Sequence, residues 1–223
     1  MNRPTPATLG LLMLQTRFPR PLGDVGHAQT FGFPVRRLVV QGATPERVVR
    51  TCNPADLQPI VEAARLLVAQ GCSAIATSCG FLALWQRELQ AALPVPVWTS
   101  SLLQLAELVG AQAGVITIEA TSLTAAHLQA VGADPATPVE GITPNSPLHR
   151  TLMQDLPQLD EADAQAQVLA AAARLRQRHP QIDTLVLECT NLPPYAAVLR
   201  AATGLRVLDV TTLLNARMAR LQP

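Results

Sequence analysis

Apolar residues along this chain fall into two alternating kinds of segment. Short, nearly continuous apolar runs cover Leu9 to Gln15, Val35 to Val40, Ser73 to Thr77, Ala113 to Thr117 and Ile182 to Leu187, and they predict strands buried on both faces. Between them lie longer segments with apolar residues at helical spacing. The clearest is Pro54 to Gln70, where Leu57, Ile60, Val61, Ala64, Leu67 and Val68 share one face. Asn53 is suited to cap it, Pro54 to occupy its first position and Gly71 to end it. Helices are also predicted over Phe81 to Leu93, Ser100 to Val109, Thr121 to Val131, Asp160 to Arg178 and Leu192 to Ala202. In the Asp160 helix the acids come early and the arginines late, the order a helix dipole favours. Pro94 to Trp98 reads as a short strand, with prolines where a strand start tolerates them. Ala133 to Pro147, rich in proline and turn formers, reads as loop.

Strands alternating with helices predict an α/β fold built on parallel sheets with both faces covered. The pattern is also written twice. Ala74-Ile75-Ala76-Thr77-Ser78-Cys79-Gly80 is echoed by Thr184-Leu185-Val186-Leu187-Glu188-Cys189-Thr190. At matching distances beyond the cysteines lie Val97 and Val207, and further on Ser100-Ser101-Leu102-Leu103-Gln104 resembles Thr211-Thr212-Leu213-Leu214-Asn215. Gly114-Val115-Ile116 likewise echoes Gly10-Leu11-Leu12. The repeat predicts two pseudo-symmetric α/β lobes: residues 1–100 plus 211–223 with Cys79, and residues 101–210 with Cys189. The chain would cross between lobes near residues 100 and 210, and its last helix would return to the first lobe. Facing lobes set the two thiols on opposite sides of one small molecule. That arrangement suits removal of a proton from one face and its return to the other.

Composition narrows the chemistry. The 223 residues are 48% apolar and 15% charged, with a formal net charge of +1, which favours neither nucleic acid nor a membrane surface as partner. Met1 to Gln15 lacks the apolar length and cleavage site of a secretory leader, so a cytoplasmic location is expected. All 17 cationic residues are arginine. Without lysine the chain can form neither an internal aldimine with pyridoxal phosphate nor a P-loop lysine contact. Cys52, Cys72, Cys79 and Cys189 form no C-x-x-C, and the four histidines show no zinc-ligand spacing, so no metal is expected. Cys52 and Cys72 lack the repeated context and read as inert.

Cys79 and Cys189 each end a strand and open a helix, at the carboxyl edge where parallel sheets bind ligands. Free N–H groups at a helix start lower a thiol pKa toward neutrality and hold carboxylates. The paired signals Thr77-Ser78-Cys79-Gly80 and Glu188-Cys189-Thr190-Asn191 resemble those of the aspartate/glutamate racemase superfamily. That superfamily includes glutamate, aspartate and hydantoin racemases, maleate isomerases and arylmalonate decarboxylases. The resemblance implies an active site between two lobes, two catalytic cysteines, no cofactor and a homodimer. Its decarboxylating members typically keep only the second cysteine. The chain departs from the glutamate racemases: Gln15-Thr16 stand where they carry Asp-Ser, Gly80-Phe81 follow the first cysteine, and Asn191 replaces a histidine after Thr190. These departures point toward a smaller, more apolar or N-substituted acid.

The leading expectation is a cofactor-independent racemase or epimerase of an amino acid or related carboxylic acid, with Cys79 and Cys189 as the two bases. A second expectation is maleate-isomerase-like, lyase or decarboxylase chemistry with Cys79 as nucleophile and Cys189 as proton donor. A third is a non-catalytic small-acid binding protein. Expected substrate contacts are Gln15, Thr16, Arg17, Ser78, Gly80, Phe81, Thr121, Ser122, Thr190 and Asn191. Phe18 to Pro34, long for a connection, is a candidate lid. Glu188 would point to the opposite strand face from Cys189 and serve structure.

Overall fold

A computed structural model of the chain describes residues 6–108, 110 and 112–222. Two four-stranded parallel sheets carry the fold. The first contains β1 (Leu9–Leu14), β2 (Val35–Val40), β3 (Ala74–Thr77) and β4 (Val97–Trp98), in the order β2-β1-β3-β4. The second contains β5 (Ala113–Thr117), β6 (Val139–Gly141), β7 (Thr184–Leu187) and β8 (Arg206–Leu208), in the order β6-β5-β7-β8. The helices are α1 (Leu57–Ala69), α2 (Gln86–Ala92), α3 (Ala125–Ala130), α4 (Pro147–Met153), α5 (Glu161–Arg178), α6 (Ala196–Thr203) and α7 (Val210–Ala219). None is long and apolar enough to cross a membrane among the described residues.

The repeat seen in the sequence is a repeat of register. Leu9 pairs with Ala74 as Ala113 pairs with Thr184, and Leu12 pairs with Thr77 as Ile116 pairs with Leu187. One residue further on, the N–H of Ser78 donates to the Leu12 carbonyl and that of Glu188 to the Ile116 carbonyl, both at 2.8 Å. Gly10 and Gly114 are equivalent and have the same cause. A Cβ on Gly10 would lie 2.7 Å from the Ile75 side chain and 3.1 Å from Leu67 of α1. On Gly114 it would lie 2.5 Å from Ile182 and 2.9 Å from Leu175 of α5. In each half the missing side chain lets a helix close on the central strand.

Helix α7 packs Val210, Leu213, Leu214 and Met218 into one cluster with Leu9, Leu11, Ala74, Ala76 and Trp98 of the first sheet. Each leucine fully buried in this way contributes about 1.5–3 kcal/mol. Asn53 accepts a hydrogen bond from the Ala55 N–H at 2.9 Å, capping a short 3-10 turn, Pro54–Asp56, that leads into α1.

Several elements differ from the expectations. Phe81 to Leu93 divides into a 3-10 segment, Gly80–Trp85, and α2, because Phe81, Leu82, Ala83 and Trp85 are all buried and a one-faced α-helix would leave part of them outside. Ser101–Glu107 is also 3-10, and Val109 of that predicted helix lies outside the described residues. The predicted Thr121 helix is shorter; it starts at the Thr124 capping box. The predicted loop contains strand β6 and ends where Ser146 caps α4, with Pro147 at its first position. A π-helical turn, Glu46–Thr51, holds the corresponding place after β2.

Candidate active site

The carboxyl ends of both sheets open on one small cavity of about 30 Å³. The two halves line it with equivalent parts. Leu14 and Ile118 come from the ends of β1 and β5, and Cys79 and Cys189 follow β3 and β7. Pro45 and Val49 come from the turn after β2, and Leu152 and Met153 from α4 after β6. Phe18, Arg20, Phe81, Glu188, Thr190 and Asn191 line it as well, with Ser78 and Gly80 beside Cys79. A space this size holds a water or two, so a substrate requires the walls to part.

The lobes are tied together around the thiols. The Thr190 hydroxyl donates across the lobes to the Ser78 carbonyl at 2.7 Å, and at the start of the second lobe the Ser101 hydroxyl donates to the Leu187 carbonyl at 2.6 Å. The Ser78 hydroxyl accepts the Leu14 N–H at 2.9 Å. Phe81 stands edge-on to the His127 ring of α3, with centroids 5.6 Å apart. On the other side the loop after β1 crosses to Asn191: the Asn191 amide donates to Asp24 Oδ2 at 2.7 Å. Asp24 is 1% exposed, and its other oxygen accepts from Arg20 at 2.8 Å and from the Gly26 N–H at 2.7 Å.

This last network orients a thiol. The Asp24 carboxylate only accepts, so Asn191 must turn its NH₂ toward Asp24 and its oxygen toward Cys189. The Cys189 sulfur lies 3.6 Å from that oxygen, the geometry of an S–H donor. Cys79 has no such acceptor; the backbone N–H groups of Phe81 and Leu82 face its sulfur and favour its anion.

Burial overrides those N–H groups at rest. Cys79 and Cys189 are 7% and 6% exposed. Burial first, and the Glu188 carboxyl second, hold both thiols well above the ordinary thiol value. The expectation of thiols near neutrality is thereby corrected. The segments after them begin as 3-10 turns, Gly80–Trp85 and Pro193–Tyr195, which offer less dipole than full helices.

The expected contacts sort into two groups. Ser78, Gly80, Phe81, Thr190 and Asn191 line the cavity with the cysteines. The other expected contacts lie away from its wall. Gln15 is exposed and accepts the Gly42 N–H; Arg17, its side chain 73% exposed, pairs with Asp155 at 3.1 Å. Thr16 acts from behind, accepting from Arg20 at 3.0 Å. Thr121 donates to Glu119 at 2.7 Å and, with Ser122, lies outside the wall. The cation of the site is Arg20, whose side chain is 13% exposed and 4.7 Å above the Phe18 ring. Two residues, Phe18 and Pro19, separate it from Arg17, and only the loop's turn decides which faces inward.

Glu188 was expected on the far face. Instead it lines the cavity, fully buried. Its Oε2 accepts the Thr117 hydroxyl at 2.6 Å, while Oε1 has no partner among the described residues. Burial raises its pKa to about 7, against the Thr117 bond, which lowers it. Gly80 makes the room: a Cβ there would lie 2.3 Å from both the backbone oxygen and Oε1 of Glu188.

The pattern defining the Asp/Glu/Hydantoin racemase family matches residues 53–218. The chain belongs to that family. Among proteins of assigned activity, this family member is 29% identical over 229 residues to dimethylsulfoniopropionate lyase 7 of Emiliania huxleyi, covering 96% of the chain and 67% of that protein. It is 30% identical over 230 residues to lyase 6 of the same organism, covering 96% of the chain and 60% of that protein. The chain thus spans roughly three-fifths to two-thirds of the length of these relatives. Among solved structures, the fold matches a Gly74Cys mutant of arylmalonate decarboxylase with a TM-score of 0.66 at 16% identity, over 96% of this chain and 92% of that one.

Proposed function

We propose that this protein is a cofactor-independent lyase that removes a proton alpha to a carboxylate and expels an onium group from the adjacent carbon. The named substrate of its relatives, dimethylsulfoniopropionate, has that form. The observation that carries the reading is the wall itself: two thiols and one carboxyl set in an otherwise largely apolar cavity, with Arg20 at its edge. A sulfonium has no N–H to satisfy and sits well against Phe18, Phe81 and Met153. A free α-ammonium would need several acceptors in a wall that offers few. A dianionic malonate would meet Glu188 and two thiols that burial already keeps neutral.

The chemistry balances without a further reactant. Arg20 retains N–H groups beyond those given to Asp24 and Thr16, and these bind the substrate carboxylate. The permanent cation entering a dry site lowers the thiol pKa, so Cys79 gives its proton to solvent as the substrate binds, one proton per turnover, and the Phe81 and Leu82 N–H groups stabilise the thiolate. The thiolate takes the α-proton, the electron pair forms the carbon–carbon double bond, and the carbon–sulfur bond breaks. Dimethyl sulfide and acrylate leave, and Cys79 is a thiol again. Cys189, whose S–H rests on the Asn191 oxygen, turns that one hydrogen to the developing enolate charge as the substrate enters.

The test is incubation of the purified protein with dimethylsulfoniopropionate, following dimethyl sulfide by gas chromatography and acrylate by proton NMR. Stoichiometric release of both supports the reading; no release at any pH between 6 and 9 refutes it. One observation favours a second reading, two-base racemisation: both thiols line the same cavity, one from each half. Exchange of solvent deuterium into a chiral acid, without elimination, would select it.

A further inference from the structure

The unpartnered oxygen of Glu188 is the feature the reaction leaves unused. It belongs to a fully buried side chain in the wall between the two thiols' halves. Thr117 satisfies one oxygen only. No arginine answers it among the described residues: Arg20, the cation of the same cavity, is engaged with Asp24. A buried acid left without a counter-charge is costly, and here the chain has also removed a side chain, at Gly80, to admit it. The equivalent place in the first half holds Ser78, whose hydroxyl is consumed by the Leu14 N–H. The charge is therefore no requirement of the fold at that position.

We infer that Glu188 is a cation subsite: it receives the onium end of a zwitterionic β-substituted carboxylate whose carboxylate is held by Arg20, and so selects charged over neutral substrates. This rests on the reading that the cavity binds the substrate. Arg20 and Glu188 line one wall without pairing with each other: Arg20, though paired with Asp24, keeps N–H groups for a carboxylate, and Glu188 keeps an unpartnered oxygen for a cation. Glu188 is a specificity residue here, and proton transfer stays with the thiols.

The test compares two ligands of nearly equal shape, dimethylsulfoniopropionate and its carbon isostere 4-methylpentanoate, which has a CH in place of the sulfonium. Binding is measured by calorimetry in a Cys79→Ser background, which stops turnover, with and without Glu188→Gln. Glutamine keeps the size and can still accept from Thr117, and a thermal melt checks folding. The parent should prefer the sulfonium by roughly tenfold or more, and Glu188→Gln should bring the ratio near one while leaving 4-methylpentanoate binding unchanged. Glu188→Asp should retain part of the preference. A preference that survives Glu188→Gln overturns the subsite and leaves the lyase reading standing, provided the unmodified enzyme releases dimethyl sulfide. Failure of both ligands to bind overturns the subsite, and it overturns the lyase reading as well only where the unmodified enzyme releases no dimethyl sulfide.

Discussion

Ser78 and Glu188 occupy one place in two halves. Each follows the strand beside the central one, donates its N–H across the sheet at the same 2.8 Å, and precedes a cleft cysteine. Two residues on, the halves differ in the reverse sense: Gly80 in the first, Thr190 in the second. The contacts across the cleft pair them crosswise. Thr190 donates to the Ser78 carbonyl, and the Glu188 carboxyl sits where Gly80 has no side chain. Large meets small on both sides, so the pseudo-symmetric backbone is kept while the chemistry is not. A repeated fold thus presents two thiols that are equivalent in position and unequal in surroundings: Cys79 faces two backbone donors, and Cys189 one backbone donor together with an amide oxygen fixed by Asp24.

The largest way to break this equivalence is to remove each thiol in turn. Cys79→Ser should lower elimination by about 10²–10⁴-fold, the range for a lost general base. Cys189→Ser should cost less, since a hydroxyl still donates to a developing enolate. Equal losses, read as dimethyl sulfide release, would favour a symmetrical two-base reaction. Next is Gly80→Ala. Its Cβ would meet the Glu188 backbone oxygen as well as the carboxyl, and backbone cannot swing aside. We expect a loss of about 1–3 kcal/mol in denaturant unfolding together with most activity. A smaller contrast separates the arginines of one loop. Arg20→Ala should raise KM at least about tenfold, the cost of a charge-assisted carboxylate contact. Arg17→Ala should change stability by no more than about 1 kcal/mol, because its ion pair is exposed, and should leave activity alone.

The last contrast is in stability against pH. Burial lets Glu188 hold its proton up to about 7 in the folded protein, against an ordinary carboxyl value of 4.5. Between those values the folded state binds more protons than the unfolded one, so this group's contribution falls as pH rises through the window and levels off above about 7. The full swing is on the order of 3 kcal/mol. Glu188→Gln should therefore be relatively more stable than the parent at pH 8 than at pH 5. Parallel melting curves at both pH values would show that the carboxyl is not in the buried state described.

The α/β class, the duplicated halves and the two cysteines were legible in the chain because burial on both faces and a repeated strand–cysteine sentence are local patterns. Strand β6 and helix α4 were not, since a three-residue strand between prolines and glycine carries no period, and its pairing with β5 supplies the missing definition. The inward arginine was equally hidden, as loop direction has no period either. Glu188 shows the limit most clearly. Alternation along a strand assigned it to the far face, but β7 ends at Leu187, and past a strand's end the chain is free to turn. What the sequence by itself determined is which residues could do chemistry and on what kind of scaffold. What only the tertiary structure decided is their state: the protonation of thiols and carboxyl follows from how much water and counter-charge surround them, and those surroundings are assembled from residues far apart along the chain.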